Sequence, residues 1–161
     1  MVLYRGVKPE MKYFDTNSSY SADTAYTLTL NSVSQGTARY NRIGAKIKIW
    51  RIDYLLEQNS SSNSVRIDLL INNPAGGTLT YTYPFMADRN TVTLLKRTIH
   101  HSGTSNGPKG MYVSHKLPYG IVCKFTGAAG TTINSNQIVA RMLTSAPETI
   151  VGNFRIWYTD A

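Results

Sequence analysis

Residues 35–58 read QGTARYNRIGAKIKIWRIDYLLEQ. Five basic residues (Arg39, Arg42, Lys46, Lys48 and Arg51) fall within thirteen consecutive positions that hold no acid. The apolar residues alternate with polar ones, the period of a strand with one buried face. Ile43, Ala45, Ile47 and Ile49 share one face, with Gly44, Lys46 and Lys48 on the other. Beyond Trp50 the apolar set becomes Ile52, Tyr54 and Leu56. Side chains on a strand repeat every two residues, so one regular strand cannot bury both sets. The phase change predicts a bulge or bend at Trp50 and Arg51. Such a bend is one way for a strand to leave its sheet and enter a neighbouring one.

Strand patterns recur on both sides of this stretch. AYTLTLN (25–31), SVRIDLLIN (64–72), TVTLLKRTIH (91–100), GMYVSHKL (110–117), GIVCKFTG (120–127), NQIVARMLT (136–144) and NFRIWYTD (153–160) are rich in β-branched and aromatic residues. The breaks between them hold turn residues, as in NNPAGG (72–77) and TGAAGTT (126–132). No capped apolar stripe of helical period occurs, and no internal repeat. About eight strands without helices predict a sandwich or a closed barrel. The polar stretches 73–90 and 102–110 supply the long connections that a Greek-key sandwich needs. The expected fold is all-β, a single eight-stranded antiparallel jelly roll.

The chain has 161 residues, of which 42% are hydrophobic, enough for one domain with a substantial core. No stretch approaches the roughly 18 apolar residues of a membrane span. The N-terminus, MVLYRGVKPEMKYF, has no apolar signal-peptide core. The one cysteine, Cys123, sits in a strand pattern and reads as a small buried hydrophobe. A reducing compartment is the expected site of synthesis.

The formal net charge is +8, and residues 89–147 contain no acid. They carry Arg89, Lys96, Arg97, Lys109, Lys116, Lys124 and Arg141. So one-signed a surface repels itself. It predicts a polyanionic partner, with nucleic acid ahead of an acidic membrane surface or a sulfated glycan.

Catalytic constellations are scarce. GTSNG (103–107) matches the pattern G-x-S-x-G, but Pro108 and Gly110 follow where a nucleophile elbow requires a helix. His100 and His101 are adjacent, so on a strand they point to opposite faces and do not share a metal ion. Asp53 and Glu57 share a strand face with ordinary ion-pair prospects. The expectation is a non-enzyme with no cofactor and no metal. Of the eleven tyrosines, Tyr4, Tyr13, Tyr20 and Tyr40 lie outside clear strand cores. They are candidates for base stacking or for subunit contacts.

EMKYFDTN (10–17), LNSVSQGT (30–37) and RIGAKIKIWRI (42–52) follow one another in an order that resembles the capsid proteins of small circular Rep-encoding single-stranded DNA (CRESS-DNA) viruses. NSNQIVARMLTSA (134–146) and GNFRIWYTDA (152–161) resemble the last two strands of that family. The middle of the chain, residues 59–118, matches only in strand character. The resemblance implies a jelly-roll coat protein that self-assembles into a small icosahedral shell, about 60 copies in its smallest closed form. It implies packaged single-stranded DNA and residence in the virion, with the host nucleus as a station during assembly. It implies no membrane partner, and the host receptor is not named by it. Lumen-facing phosphate contacts would come from Arg5, Lys8, Lys12, Arg39, Arg42, Lys46 and Lys48. Such proteins usually open on a long basic arm, whereas here only Arg5, Lys8 and Lys12 precede Ala25. Residues 1–24 are therefore expected to be a short remnant of, or substitute for, that arm, with the jelly roll spanning 25–161. The alternative expectation is a β-sandwich module that binds polyanions or glycans without assembling.

Overall fold

A computed structural model describes residues 9–20, 25–58, 64–72, 92–101, 109–126, 132–144 and 149–161. Among these are β1 (Lys12–Tyr20), β2 (Ala25–Thr29), β3 (Lys46–Gln58), β4 (Ser64–Asn72), β5 (Val92–His101), β6 (Lys109–Phe125), β7 (Ile133–Ser135), β8 (Gln137–Thr144) and β9 (Ile150–Asp160). They form two antiparallel sheets, ordered β1-β9-β3-β6-β7 and β2-β8-β4-β5. The pairing is nested: β4 pairs with β5, β3 with β6, β2 with β8 and β1 with β9. One long hairpin rolled on itself gives this order, which is that of a jelly roll. It also brings the two ends of the described chain together, with Lys12 opposite Tyr158.

The core lies between the sheets. Ile47, Ile49, Ile52 and Tyr54 from β3 meet Ile67 and Leu69 from β4. Met142 of β8 and Ile156 and Tyr158 of β9 close it, all nearly inaccessible to solvent. The buried Tyr54 hydroxyl bonds the Thr98 hydroxyl across the sandwich at 2.6 Å. Cys123 is also buried in this core, and burial pushes its thiol up to about 12.

The expected bulge is present. Ile49 faces Tyr158 and Arg51 faces Trp157, so Trp50 is an extra residue relative to β9. Ile47 and Ile49 before it, and Ile52, Tyr54 and Leu56 after it, all enter the same core. The expected change of sheet does not occur, because β3 stays between β9 and β6 throughout. Opposite Trp50, β6 is irregular too. Ile49 faces Ile121 while Arg51 faces Lys116, so residues 117–120 bow out. Gly120 closes that bow at φ +63°, where a Cβ would stand 2.6 Å from Lys48 Cε and 3.1 Å from the Ile49 carbonyl oxygen. Only glycine meets both demands without strain. This bow fuses what read as two strands, 110–117 and 120–127, into one β6.

Three further expectations are corrected. Residues 35–45 are not strand: β3 begins at Lys46, and Ile43 is 67% exposed instead of sharing the buried face of Ile47. Residues 12–20 belong to the sandwich as β1, paired along their whole length with β9, so the domain body does not begin at Ala25. Tyr13 accordingly sits on a strand, not outside one. The polar stretches 73–90 and most of 102–110, GTSNG, Tyr4, Arg5 and Lys8 lie outside the described residues.

Candidate nucleic-acid interface

The two sheets differ in what their outer faces offer. In β4 and β8 nearly every described residue is buried, on both faces. Away from the main core, Leu70 packs with Val92 and Leu143, beside Arg66 and Asp68. Asp68, fully buried, takes hydrogen bonds from Arg66 and from Arg97 at 2.6 to 3.0 Å. Burial alone would raise its pKa, but the bonds from Arg97 and Arg66 outweigh that and hold it below the usual value.

The outer face of the five-stranded sheet is accessible and basic at one end. Lys46 faces Lys124, Lys48 follows on the same side, and Arg51 faces Lys116. Like charges directly opposite on neighbouring strands are destabilising. Among the described residues, Lys46, Lys116 and Lys124 make no ion pair. Lys48 instead lies over the Trp50 ring at 4.3 Å, and the Trp50 indole donates to Thr159 Oγ1 at 3.1 Å.

Cations and aromatic rings alternate along the middle of this face. Arg51 lies 4.3 Å over Trp157, and Arg155 lies 4.3 Å over Tyr13. Tyr13 and Trp157 meet at 5.6 Å between ring centroids. Asp53 anchors the row from beneath. It is 7% exposed and accepts from the Trp157 indole and the Ser114 hydroxyl, each at 2.6 Å. Arg51 Nε stands 3.1 Å from the same carboxylate. Asp53 is thus an organiser of the aromatic row, a role that its spacing from Glu57 did not reveal. Its signal lay in the register, which puts Arg155 and Ser114 on either side of it.

At the far end the face opens into a cleft of about 450 Å³, lined by Asp15, Asn17, Leu55, Tyr112, Asn153 and Arg155 among others. Arg155 closes on Asp15 through two hydrogen bonds, of 2.6 and 2.7 Å. These bonds raise the guanidinium's pKa further.

Of the residues expected to contact phosphate, Lys46 and Lys48 stand on this face. Arg39 is exposed in the turn region of the 33–45 loop, outside the sheet. Two are corrected. Arg42 has no exposed surface. Its guanidinium donates to the carbonyls of Val33 and Gly44 and stacks over Phe125 at 4.1 Å. Burial lowers its pKa, opposed by nearby Asp160 and Tyr158. Lys12 is 6% exposed and bonds Asp160 at 2.6 Å and the Asn41 carbonyl at 3.0 Å. Lys12 ties the 33–45 loop to the end of β9, and Arg42 ties the loop to itself and to Phe125 of β6, because a buried cation requires partners. Lys116 and Lys124, which the sequence offered only as part of the acid-free span, join the basic row through β6. Their place follows from register with β3, which no local motif encodes.

No protein-family model matches the chain, and no curated protein does. Solved structures match the chain at low identity. A Bacillus endospore appendage protein, of a family of disulfide-linked pili, is 11% identical over 100% of this chain and 98% of its own, with a TM-score of 0.46. A chain of infectious bursal disease virus, Gx strain, is 13% identical over 99% of this chain and 35% of its own, with a TM-score of 0.38. A Clostridium thermocellum xylanase fragment with a CBM22 module, bound to xylohexaose, is 7% identical over 92% of this chain and 28% of its own, with a TM-score of 0.34. This chain spans about a third of that viral chain's length. These likenesses are too distant to add to the assignment, which rests on nested pairing: the chain is a single jelly roll whose five-stranded sheet presents an accessible, basic outer face.

Proposed function

We propose that this chain is a viral capsid subunit that self-assembles into a small icosahedral shell and holds single-stranded DNA against the outer face of its five-stranded sheet. The observation that carries the reading is the register of two like-charged pairs, Lys46 opposite Lys124 and Arg51 opposite Lys116, on adjacent strands of one face. A domain gains nothing from such pairs in isolation. A polyanion laid along them converts the repulsion into attraction and releases counterions. The order of motifs, which resembles that of CRESS-DNA virus coat proteins, supports the same reading. The shell would be the smallest closed kind, T=1, of about 60 copies. The subunit's place would be the virion, with assembly in the host nucleus, and the role is structural, without catalysis.

Size-exclusion chromatography with negative-stain microscopy, over a range of salt and protein concentration, tests assembly. Closed particles are expected. Monomers and dimers alone would overturn the capsid reading and favour a polyanion- or glycan-binding module, of which the basic row would suit the first and the cleft beside Tyr112 the second. Titrating single-stranded DNA against salt tests the packaging face, and a steep loss of affinity is expected.

A further inference from the structure

The cleft at the far end of the sheet differs chemically from the basic row. Its cation, Arg155, is held bidentately by Asp15. Its other carboxylate, Asp53, is occupied by Ser114, Trp157 and Arg51. No lining residue offers an uncommitted charge, so the cleft is not built for phosphate. What it does offer is neutral. Tyr112 is 66% exposed, and Leu55, facing it across the strands, is 36% exposed. Asn17 and Asn153 face each other across β1 and β9. Both are exposed, and their side-chain amides make no hydrogen bond among the described residues. An aromatic face, an aliphatic floor and two free amides fit a flat, neutral ring with donors and acceptors on its edge. The volume, about 450 Å³, lies within the range of small-ligand pockets.

The surroundings select which ring. Arg51, opposite Lys116, lies four residues along β3 from Leu55, roughly 13 Å at the rise of a strand. Arg51, Trp157 and Tyr13 lie in register across β3, β9 and β1, and Arg155 lies two residues nearer the cleft, opposite Asp53. A basic track interleaved with aromatic rings is how proteins hold single-stranded nucleic acid, with phosphates on the cations and bases on the rings. We infer that the cleft beside Tyr112 is a base-binding subsite. It takes one unpaired nucleobase from a strand whose phosphates run along Lys116, Lys48, Lys46 and Lys124. This rests on the nucleic-acid reading above and extends it: the face holds bases as well as neutralising phosphates. A duplex, whose bases are stacked and paired, would use only the phosphate track.

The test compares two fluorescein-labelled decamers of equal charge, oligo-dT and a decamer with abasic sites at its central positions. Anisotropy titrations use the full chain at fixed salt. The base-bearing decamer is expected to bind roughly tenfold more tightly, as stacking one base allows. Tyr112→Ala should remove that difference while leaving abasic binding unchanged. Asn153→Ala should narrow it. Both residues are exposed, so circular dichroism of each variant should match the wild type. Equal binding of the two decamers by the wild-type chain would overturn the base subsite and leave the phosphate track standing. Binding of neither decamer would overturn both readings. Binding of cellohexaose, lost in Tyr112→Ala, would overturn the nucleobase in favour of a sugar.

Discussion

Lys46 stands directly opposite Lys124 on the neighbouring antiparallel strand, both on the solvent side of the five-stranded sheet. Opposed like charges at this spacing weaken a sheet by roughly 0.2–1 kcal/mol relative to neutral pairs. Replacing both with glutamine should therefore stabilise the free subunit at low ionic strength, and the gain should shrink as salt screens the repulsion. The same double variant should bind single-stranded DNA less tightly. Each lost phosphate contact lowers the slope of log affinity against log salt by about 0.7 on single strands, so about 1.4 for the pair. Urea denaturation and a salt titration check the two halves. An unchanged slope would remove both lysines from the phosphate track.

Arg42 should behave in the opposite way. Its guanidinium is fully buried and satisfies the carbonyls of Val33 and Gly44. Truncation to alanine leaves those acceptors dry and empties the space over Phe125. A loss of about 3 kcal/mol or more is expected in denaturant melts. Arg42→Lys should recover little, because an ammonium cannot reproduce the fork. The DNA salt slope of any Arg42 variant that stays folded should match the wild type. A reduced slope would restore Arg42 as a phosphate contact.

This contrast shows how far the sequence could be read. Period-two alternation exposed most strands, and the phase change at Trp50 exposed the bulge, because both are local consequences of burial on one face. The turn at residues 36–45 was hidden because Ile43 continues the alternation of Ile47 and Ile49 by coincidence. Nothing local marks it as 67% exposed. Strand β1 was hidden because its inward residues include Lys12, Thr16 and Ser18, which carry no hydrophobic alternation. Its partner β9 lies about 140 residues away, as between Asp15 and Arg155. The site was half legible. Lys46 and Lys48 announce themselves on a strand, whereas Lys116 and Lys124 acquire meaning only once β6 is laid against β3. The charge of Arg42 resembled theirs, and only burial separates them.

Acid should destabilise the domain in two separate steps. His115 is held below its ordinary value by burial and by the nearby charge of Lys96. The unfolded chain therefore takes up this proton before the folded one, and stability falls as pH drops below the ordinary value of 6.5. Asp68 has a lowered pKa, so its contribution is intact above the ordinary value of 3.8 and is lost below it, as pH falls through the folded value. Melting temperatures measured from pH 8 to pH 3 should show both declines. His115→Gln should flatten the first and leave the second. A single decline confined below pH 4 would exclude His115 as a contributor.

The bulge at Trp50 makes a prediction that depends on direction. Relative to β9, Trp50 is the surplus residue, since Ile49 and Arg51 face the consecutive residues Tyr158 and Trp157. Deleting Trp50 leaves Ile47, Ile49, Ile52, Tyr54 and Leu56 in one unbroken alternation, all still directed into the core. The deletion loses the indole bond to Thr159 and the cation contact of Lys48. It also deepens the mismatch with β6, so a folded protein with a lowered melting temperature is expected. Inserting one alanine after Ile52 does the reverse, because β3 and β9 pair residue for residue there and no residue is surplus. It turns Tyr54 and Leu56 outward and drives Asp53 and Leu55 toward the core. Exposing two large side chains at roughly 1.5–3 kcal/mol each removes a large part of the stability of a small domain, before any cost of burying charge. The insertion should lower the melting temperature by circular dichroism much further than the deletion does. An insertion that melts as well as the deletion would show that the two-residue phase does not hold β3 in the core.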